Sequence, residues 1–276
     1  MIHILVTCDE NYLSPLMVML YSLRQNNRNK AFKIWLIHES ISQESIQLLN
    51  NFNDSLDFEF EDIQIQDLLF EDAKTQDRYP KEMYFRLLCA QILPNDLERV
   101  LYLDPDILII NSIESLWETE LNGQMIAAST HTGLIDIATP INKMRLSTDH
   151  GYFNSGVMLI DLNMARDIIK EEDIQETLEK SNLYLLLPDQ DVLNYLYGKY
   201  ILEVPEEIYN YDARRFMSYF ARSKGEHNLM WVMENTAILH FCGRPKPWDS
   251  SSDSRFTALY LNYNHQVNTL IKSLRD

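Results

Sequence analysis

Short apolar runs alternate with stretches of helical periodicity through the first half of the chain. Runs of mostly aliphatic residues bounded by polar turns are typical of strands buried on both faces of a sheet. They predict strands over 2–8, 33–38, 57–63 and 99–104. Apolar positions that recur every three or four residues predict helices over 13–26, after Ser42, and over 81–93. The alternation predicts right-handed crossovers and a mostly parallel sheet with helices on both faces.

The second half of the chain is less regular. Further strands are predicted over 125–130, 152–162 and 237–241, with antiparallel pairing at an edge of the sheet as one arrangement. Helices are predicted over 163–180 and 189–198. No Ser/Gly-rich linker, internal repeat or low-complexity tract divides the 276 residues. The prediction is therefore one α/β domain with a smaller C-terminal lobe.

Charge narrows the range of partners. The chain has 24 Lys and Arg against 41 Asp and Glu, a formal net charge of −17, which repels nucleic-acid backbones and anionic lipids. We therefore expect no nucleic-acid partner and membrane association that is peripheral at most. Three widely spaced cysteines without C-x-x-C spacing are typical of reduced thiols in the cytosol. No basic segment precedes the first apolar run, so no signal peptide is expected and the predicted location is cytoplasmic.

Polar residues follow the predicted strands at three places. These places hold Asp9 with Asn11, Asp104 with Asp106, and His240 with Gly243. Ligands of open parallel sheets bind outside the carboxyl ends of the strands. We therefore expect these residues to meet at one rim of the sheet.

Asp104 and Asp106 flank a proline inside the apolar run LYLDPDILII. Side chains two apart in extended backbone project to the same side, and two convergent carboxylates suit a hard divalent cation. A D-x-D pair is weak support alone, because aspartate is frequent and Asp189 with Asp191 forms a second pair. Solvated acids in a strand-ending turn are the alternative.

The segment HFCGRPKPW (240–248) strengthens the metal hypothesis. An imidazole at His240 would complete a carboxylate site and would favour manganese over magnesium. Gly243 permits close backbone approach, and Lys246 can face a phosphate. A half-buried histidine beside a basic surface loop is the alternative.

Uncharged polar groups lie beside acids in two further segments. Asn154 lies where a strand begins, and Asp189 with Gln190 lies where a helix begins. Amide side chains offer donors and an acceptor, which suits a hydroxyl-rich ligand; turn formation and an N-cap at Asp189 are the alternatives. Arg86 interrupts the apolar face of its helix. As a functional residue it would be a buried guanidinium that pairs with acids at the ligand site; the alternatives are a simple pair with an acid such as Asp9 and a stem that extends along the core.

These segments resemble glycosyltransferase family 8, the group of lipopolysaccharide galactosyltransferases and glycogenin. The resemblance covers most of the chain in six collinear blocks: TCDENY (7–12), MYFRLL (83–88), RVLYLDPDILI (99–109), YFNSGVMLIDL (152–162), LPDQDVLN (187–194) and HFCGRPKPW (240–248). It implies a GT-A fold, a UDP-sugar donor, a divalent metal, usually manganese, and retention of anomeric configuration. The single domain, 1–276, would then have a nucleotide-binding half over 1–110, and an acceptor half with the C-terminal lobe over 111–276.

The resemblance also implies a role for each candidate residue. Asp104, Asp106 and His240 would bind the metal, and Gly243 with Lys246 would hold the diphosphate. The nucleoside would be contacted by Asp9, Asn11 and Tyr12. The donor sugar would be contacted by Arg86, Asn154, Asp189 and Gln190, the last three being the candidates for catalysis.

The predicted function is a retaining, metal-dependent transfer of galactose or glucose from UDP-galactose or UDP-glucose to a carbohydrate or glycoconjugate acceptor. Mn²⁺ is the expected cofactor, with Mg²⁺ as the alternative. A catalytically weak nucleotide-sugar-binding protein and glycogenin-like self-glucosylation are competing interpretations. A phosphohydrolase would need a second metal and a denser His/Asp cluster.

The acceptor is less well indicated than the donor. RYPKEMY (78–84) departs from the galactosyltransferase pattern, and the C-terminus lacks a basic, aromatic tail. Both features argue against a lipid-linked acceptor. Segments 130–151 and 210–231 are expected to supply lids and acceptor contacts.

Overall fold

Ten strands form two sheets in the computed structural model, which describes residues 1–65, 85–130, 138–179 and 188–275. The strands are β1 (Ile2–Thr7), β2 (Phe32–His38), β3 (Glu59–Gln64), β4 (Arg99–Leu103), β5 (Ile107–Ile109), β6 (Ile126–Thr130), β7 (Phe153–Asp161), β8 (Ile201–Glu203), β9 (Tyr211–Asp212) and β10 (Ile238–His240). The larger sheet has the order β3-β2-β1-β4-β7-β6-β8, and the smaller has the order β5-β10-β9.

The larger sheet is mostly parallel, as predicted. β1 pairs in parallel with both β2 and β4, β2 with β3, and β6 with β8. β7 is antiparallel to both neighbours, β4 and β6. The predicted edge position of the antiparallel strands is wrong, because β7 lies inside the sheet and β10 belongs to the smaller one. Strand order depends on crossovers between distant segments, which local patterning does not encode.

Helices cover both faces of the larger sheet. Their bounds are α1 (Leu13–Asn26), α2 (Gln43–Ser55), α3 (Cys89–Ile92), α4 (Glu114–Trp117), α5 (Ala138–Leu146), α6 (Leu162–Ile168), α7 (Glu171–Glu179), α8 (Pro188–Val192), α9 (Glu206–Tyr209), α10 (Phe216–Arg222), α11 (Leu229–Asn235) and α12 (Thr257–Arg275). Alternate residues of β1 feed two separate cores: Ile4 and Val6 belong to one, and Leu5 belongs to the other. This alternation follows from the period-two side-chain pattern of a strand.

Three helix predictions differ from the structure. The predicted helix 163–180 is two helices, because the buried Ile169 adopts an extended backbone between them. The predicted helix 189–198 changes from α to π geometry at Leu193. Of the predicted helix 81–93, residues 81–84 lie outside the described residues, and the backbone turns at 86–88 before α3 begins. That turn holds Arg86, whose side chain reaches acids at the sheet edge.

The C-terminal helix α12 packs along α1. Asn26 donates a hydrogen bond to Tyr263 Oη at 3.1 Å, and Tyr21 Oη donates to Gln266 Oε1 at 3.2 Å. No helix within the described ranges combines the length and apolar character needed to cross a bilayer.

Candidate metal centre

Asp104, Asp106 and His240 meet at the junction of the two sheets. The acids lie in the turn between β4 and β5, and β10 is antiparallel to β5 with His240 opposite Ile107. His240 Nε2 lies 3.7 Å from Asp104 Oδ2 and 3.2 Å from Asp106 Oδ1. One ligand atom from each side chain lies within 4.8 Å of the others, a spacing that a single metal ion could occupy.

Neighbouring side chains determine which oxygen Asp104 offers. Tyr102 Oη donates to Asp104 Oδ1 at 2.6 Å, and Arg86 Nη1 lies 3.0 Å from the same oxygen. Tyr102 is fully buried, and its hydroxyl also lies 3.2 Å from Thr7 Oγ1. Oδ2 is therefore the oxygen on the His240 side.

Asp106 is buried and charged. Its Oδ2 is ion-paired with Lys246 Nζ, which also donates to Phe241 O at 3.0 Å. Its Oδ1 lies close to His240 Nε2 without the alignment of a hydrogen bond. Burial favours the neutral acid, but His240 and Lys246 outweigh it and hold the pKa of Asp106 below its usual value. A buried, ionised oxygen without a hydrogen bond is a place that a cation fits.

The donor set matches a divalent metal of intermediate hardness. Two carboxylates suit Mg²⁺, Ca²⁺ or Mn²⁺, and one imidazole shifts the preference toward a transition metal. His240 is also held from behind, since its Nδ1 lies 2.8 Å from Asn210 Oδ1. Such a contact to the second ring nitrogen is the usual support of a metal-binding histidine. The residues present therefore fit the metal implied by the sequence.

Arg86 joins the metal group to a second acid. Its Nη1 lies 3.0 Å from Asp104 Oδ1 and 3.4 Å from Asp189 Oδ2. Burial works to lower the pKa of Arg86, but Asp104, Tyr102 and Asp189 raise it above its ordinary value, so the guanidinium stays charged. Ser155 Oγ donates to Asp189 Oδ2 at 3.0 Å. The functional alternative for Arg86, a buried guanidinium among site acids, is the one observed.

The predicted N-cap role of Asp189 is wrong. α8 begins at Pro188, so Asp189 lies inside the first turn. Its carboxylate is used by Arg86 and Ser155. Proline is favoured at the first helical position, so the residue after it lies within the first turn and not at the cap.

Amide side chains form a hydrogen-bonded row beside the metal group. Asn210 Nδ2 donates to Asn154 Oδ1 at 2.9 Å, and Asn154 Nδ2 donates to Gln190 Oε1 at 3.1 Å. Asn154 Oδ1 also accepts from the backbone N–H of Gly156 at 3.0 Å. Two of the predicted sugar-binding residues, Asn154 and Gln190, thus touch each other and connect toward His240.

Asp191, the second acid of the other D-x-D pair, has a structural role and is not one of the three residues of the metal group. Asp191 is fully buried and accepts two hydrogen bonds from Arg145, at 2.8 and 2.6 Å, and one from Tyr152 Oη at 2.6 Å. Burial, followed by the hydrogen bond to Asp191, raises the pKa of Tyr152. Asp191 therefore joins α5, the start of β7 and α8.

The predicted nucleoside-binding residues lie on the segment after β1. Asp9 accepts from the backbone and side-chain nitrogens of Asn11, at 2.9 and 3.1 Å, and so caps the short turn of 3₁₀ helix at Glu10–Tyr12. Tyr12 packs edge-on against Trp248, with ring centroids 6.1 Å apart. Their contacts with a ligand stay a prediction.

Two glycines permit close approach at the centre. Gly243 has φ +67°, and a Cβ there would lie 2.3 Å from Arg214 Nη1. A Cβ on Gly156 would lie 2.3 Å from His240 Cε1 and 2.6 Å from Asp104 Oδ2. The metal group thus closes directly against the backbone of β7.

The sequence analysis missed two residues of the site. By hydrophobic pattern alone, Tyr102 is indistinguishable from the other apolar positions of its strand. Asn210 lies in the segment that is expected to contact the acceptor. Only the tyrosine had a usable signal, since its side chain shares a strand face with Asp104 two residues later. Asn210 had none, because its contact depends on the pairing of β9 with β10.

Comparison with known proteins identifies similar chains. The model of glycosyl transferase family 8 matches residues 3–252. General stress protein A of Bacillus subtilis (strain 168) is 26% identical over 270 residues, which cover 95% of this chain and 92% of that protein. Lipopolysaccharide 1,2-glucosyltransferase of Escherichia coli (strain K12) is 28% identical over 248 residues, covering 87% and 70%.

Solved structures show the same fold. The galactosyltransferase LgtC, in complex with donor and acceptor sugar analogs, superimposes with a TM-score of 0.80 at 21% identity, covering 96% of both chains. The glycosyltransferase GlyE of Streptococcus pneumoniae TIGR4 superimposes with a TM-score of 0.71 at 20% identity, covering 99% of this chain and 64% of that one. The predicted GT-A fold is therefore confirmed.

Proposed function

Because the chain belongs to glycosyltransferase family 8 and is a hexosyltransferase, we propose that it moves galactose or glucose from a UDP-sugar to a carbohydrate or glycoconjugate acceptor. The proposed reaction depends on a divalent metal, Mn²⁺ rather than Mg²⁺, and retains the anomeric configuration. The observation that carries the proposal is the convergence of Asp104, Asp106 and His240 beside the amide row.

Electrostatics explain why such a site would require a metal. Asp104, Asp106 and Asp189 contribute three negative charges, and Arg86 with Lys246 contributes two positive ones. An imidazole that binds a metal is neutral, and with His240 in that form these groups leave one net negative charge, which repels a diphosphate until a cation is bound. A divalent cation reverses that sign, so the nucleotide would bind to the loaded centre in spite of the chain's overall charge of −17.

Asp104, Asp106 and His240 would hold the cation, each through the atom that faces the other two. When bound, a divalent cation supplies Lewis-acid stabilisation of the charge that grows on the departing phosphate oxygen. Lys246, which is ion-paired with Asp106, would also interact with the diphosphate. Gly243 would let the backbone approach the diphosphate closely. Asp9, Asn11 and Tyr12 would bind the uridine.

The remaining polar residues would bind the hexose. Arg86, Asn154, Asp189 and Gln190 are proposed to contact its hydroxyls. Asp189 is engaged by Arg86 and Ser155, which makes it a poor nucleophile and a good fixed negative charge beside a developing oxocarbenium ion. We therefore favour attack of the acceptor on the same face as the leaving group, with Asn154, Asp189 and Gln190 orienting and stabilising the sugar.

The cysteines at 8, 89 and 242 are widely spaced and lack C-x-x-C spacing, which supports a reducing compartment. We accordingly propose a cytoplasmic location. Fractionation of cells that express the tagged chain would test it, and recovery in an oxidising compartment would contradict it.

The test of function is release of UDP. The purified chain is incubated with UDP-glucose or UDP-galactose, with Mn²⁺, Mg²⁺ or chelator, and with a panel of glycan acceptors. Release with one donor, faster with Mn²⁺ than with Mg²⁺ and absent with chelator, is expected. The anomeric configuration of the product, read by NMR, tests retention; an inverted product or a glycosyl group trapped on Asp189 would overturn the mechanism.

The same experiment separates the competing functions. Binding of UDP-sugar without release under any condition would favour a nucleotide-sugar-binding protein. A hexose mass increment on a tyrosine of the chain itself would favour self-glucosylation. Asp104→Asn is the loss-of-function control, with thermal melting to show that the variant is folded.

A further inference from the structure

Asn210, the residue before β9, contacts two parts of the site at once. Its side chain is fully buried. Its Oδ1 lies 2.8 Å from His240 Nδ1, and its Nδ2 donates to Asn154 Oδ1 at 2.9 Å. Asn154 then donates to Gln190 Oε1 at 3.1 Å. One unbroken row of hydrogen bonds therefore connects the imidazole with Gln190.

The direction of every bond in this row follows from one backbone group. The N–H of Gly156 can only donate, so the atom of Asn154 that faces it, at 3.0 Å, has to be the oxygen. The nitrogen of Asn154 is then turned to Gln190 and meets its oxygen. Asn154 Oδ1 accepts, so Asn210 has to direct its NH₂ group to that oxygen. The Oδ1 atom of Asn210 then faces His240.

The imidazole tautomer follows from the same logic. A carbonyl oxygen only accepts, so His240 Nδ1 carries the proton in its contact with Asn210. In the neutral ring the lone pair is then on Nε2, the nitrogen that faces Asp104 and Asp106. At the other end of the row, Gln190 Oε1 is used by Asn154, so its NH₂ group is the end available to a hydroxyl oxygen.

We propose that Asn210 is a positioning residue that couples divalent-cation binding at His240 to recognition of the transferred hexose at Asn154 and Gln190. The inference rests on the proposed function, which assigns the cation and the hexose to these places. Asn210 acts through its oxygen on the metal side and through its nitrogen on the sugar side. Coupling between two sites is reciprocal. The hexose should therefore raise the affinity for the cation by the same factor by which the cation raises the affinity for the hexose.

The coupling is measurable without turnover. The dissociation constant of Mn²⁺ is measured with the β-methyl ester of UDP and with a UDP-hexose that carries fluorine at C2 of the sugar, which slows transfer. Both nucleotides are diphosphate diesters of the same charge, whereas UDP itself has one more ionisable oxygen, so a difference between the two constants reports the sugar. Tighter Mn²⁺ binding with the UDP-hexose than with the methyl ester is expected in the wild type.

Two substitutions separate the two sides of Asn210. Asn210→Ala removes both contacts and should weaken Mn²⁺ binding without nucleotide by about 10- to 100-fold, the usual effect of losing a partner of a metal-binding histidine. It should also abolish the difference between UDP-hexose and the methyl ester of UDP. Asn210→Asp keeps an acceptor for His240 but has no N–H for Asn154, so it should keep most of the Mn²⁺ affinity and still abolish the difference.

A matched control separates positioning from stability. Asn27 is another buried asparagine with both ends of its amide used: it donates to Leu23 O and accepts from Ile113 N–H, each at 3.1 Å. Asn27→Ala should lower the melting temperature and leave Mn²⁺ affinity unchanged. An equal loss of Mn²⁺ affinity in Asn27→Ala and Asn210→Ala would overturn the proposal.

Other outcomes distinguish this inference from the proposed function. Wild-type Mn²⁺ affinity in Asn210→Ala, or an intact sugar-dependent difference in Asn210→Asp, would overturn the positioning role and leave the transferase proposal standing. A wild-type protein that binds Mn²⁺ equally well with UDP-hexose and with the methyl ester of UDP would do the same. A wild-type protein that binds neither Mn²⁺ nor UDP-hexose would overturn the proposed function itself.

Discussion

Replacing Gly156 with alanine should separate the metal ligands without straining the backbone. The new Cβ would lie 2.3 Å from His240 Cε1 and 2.6 Å from Asp104 Oδ2. Carbon atoms in contact prefer separations of about 3.5–4.0 Å, so the imidazole or β7 has to move by more than ~1 Å. Gly156 does not have the positive φ of Gly243 or Gly123, so alanine suits its backbone and the effect comes from volume alone.

Neither ligand can move without losing other contacts. His240 is buried and held by Asn210, and Asp104 is held by Tyr102 and Arg86. Overpacking of this kind costs about 1–3 kcal/mol of stability. Distances from a metal to its ligands vary by only about 0.2 Å around their usual values. A shift of more than ~1 Å is therefore expected to lower Mn²⁺ affinity by about 100-fold, which corresponds to ~2.7 kcal/mol.

The assay pairs Mn²⁺ titration with urea denaturation and UDP release. Gly123→Ala is the control, since its φ of +79° strains any side chain although nothing lies within 4 Å of the added Cβ. It should lose about 1–2 kcal/mol of stability and keep the wild-type Mn²⁺ affinity. A Gly156→Ala protein that binds Mn²⁺ and releases UDP like the wild type would refute the packing argument.

Three further predictions concern the charged groups. Asp106→Asn leaves Lys246 without its buried partner and should lower the metal-free unfolding free energy at pH 7 by roughly 3 kcal/mol. The folded-state pKa of Asp106 is depressed, so the stability that its carboxylate contributes is present above the unfolded-state pKa of ~3.9 and is lost as pH falls through the folded-state pKa. Urea denaturation curves of the wild type and Asp106→Asn that coincide at pH 7 would contradict this prediction. Saturation with Mn²⁺ at 100 times its dissociation constant should stabilise the wild type by about 2.7 kcal/mol and leave Asp106→Asn unchanged in a thermal melt; an equal shift would place the metal elsewhere. Arg145→Ala should lower the free energy of unfolding by about 3–5 kcal/mol in urea denaturation, because it removes the cation that is ion-paired with the buried Asp191. Tyr152→Phe removes one hydrogen bond and should lower it by only ~1 kcal/mol. Similar losses in both variants would argue against a buried ion pair.

Local pattern was sufficient for most of the larger sheet. The predicted bounds of α1 agree with the structure, and those of β1, β2 and β4 agree within a residue or two. These elements have apolar runs with sharp polar ends, so their hydrophobic period and their limits are written in consecutive residues. The predictions failed where a helix was broken by tertiary contacts, as at Ile169 and at the turn that carries Arg86.

Consecutive residues were enough to predict the α/β class, the D-x-D turn at the end of a buried strand, and the family resemblance that linked His240 to that turn. Which atoms face each other depends on how distant segments pack. The tertiary structure showed that Tyr102 and Arg86 hold one oxygen of Asp104, that Asp191 joins Arg145, and that Asn210 supports the imidazole. These contacts connect residues far apart in the chain through strand order and register. Order and register arise from packing the whole chain at once, so no single segment of the sequence encodes them.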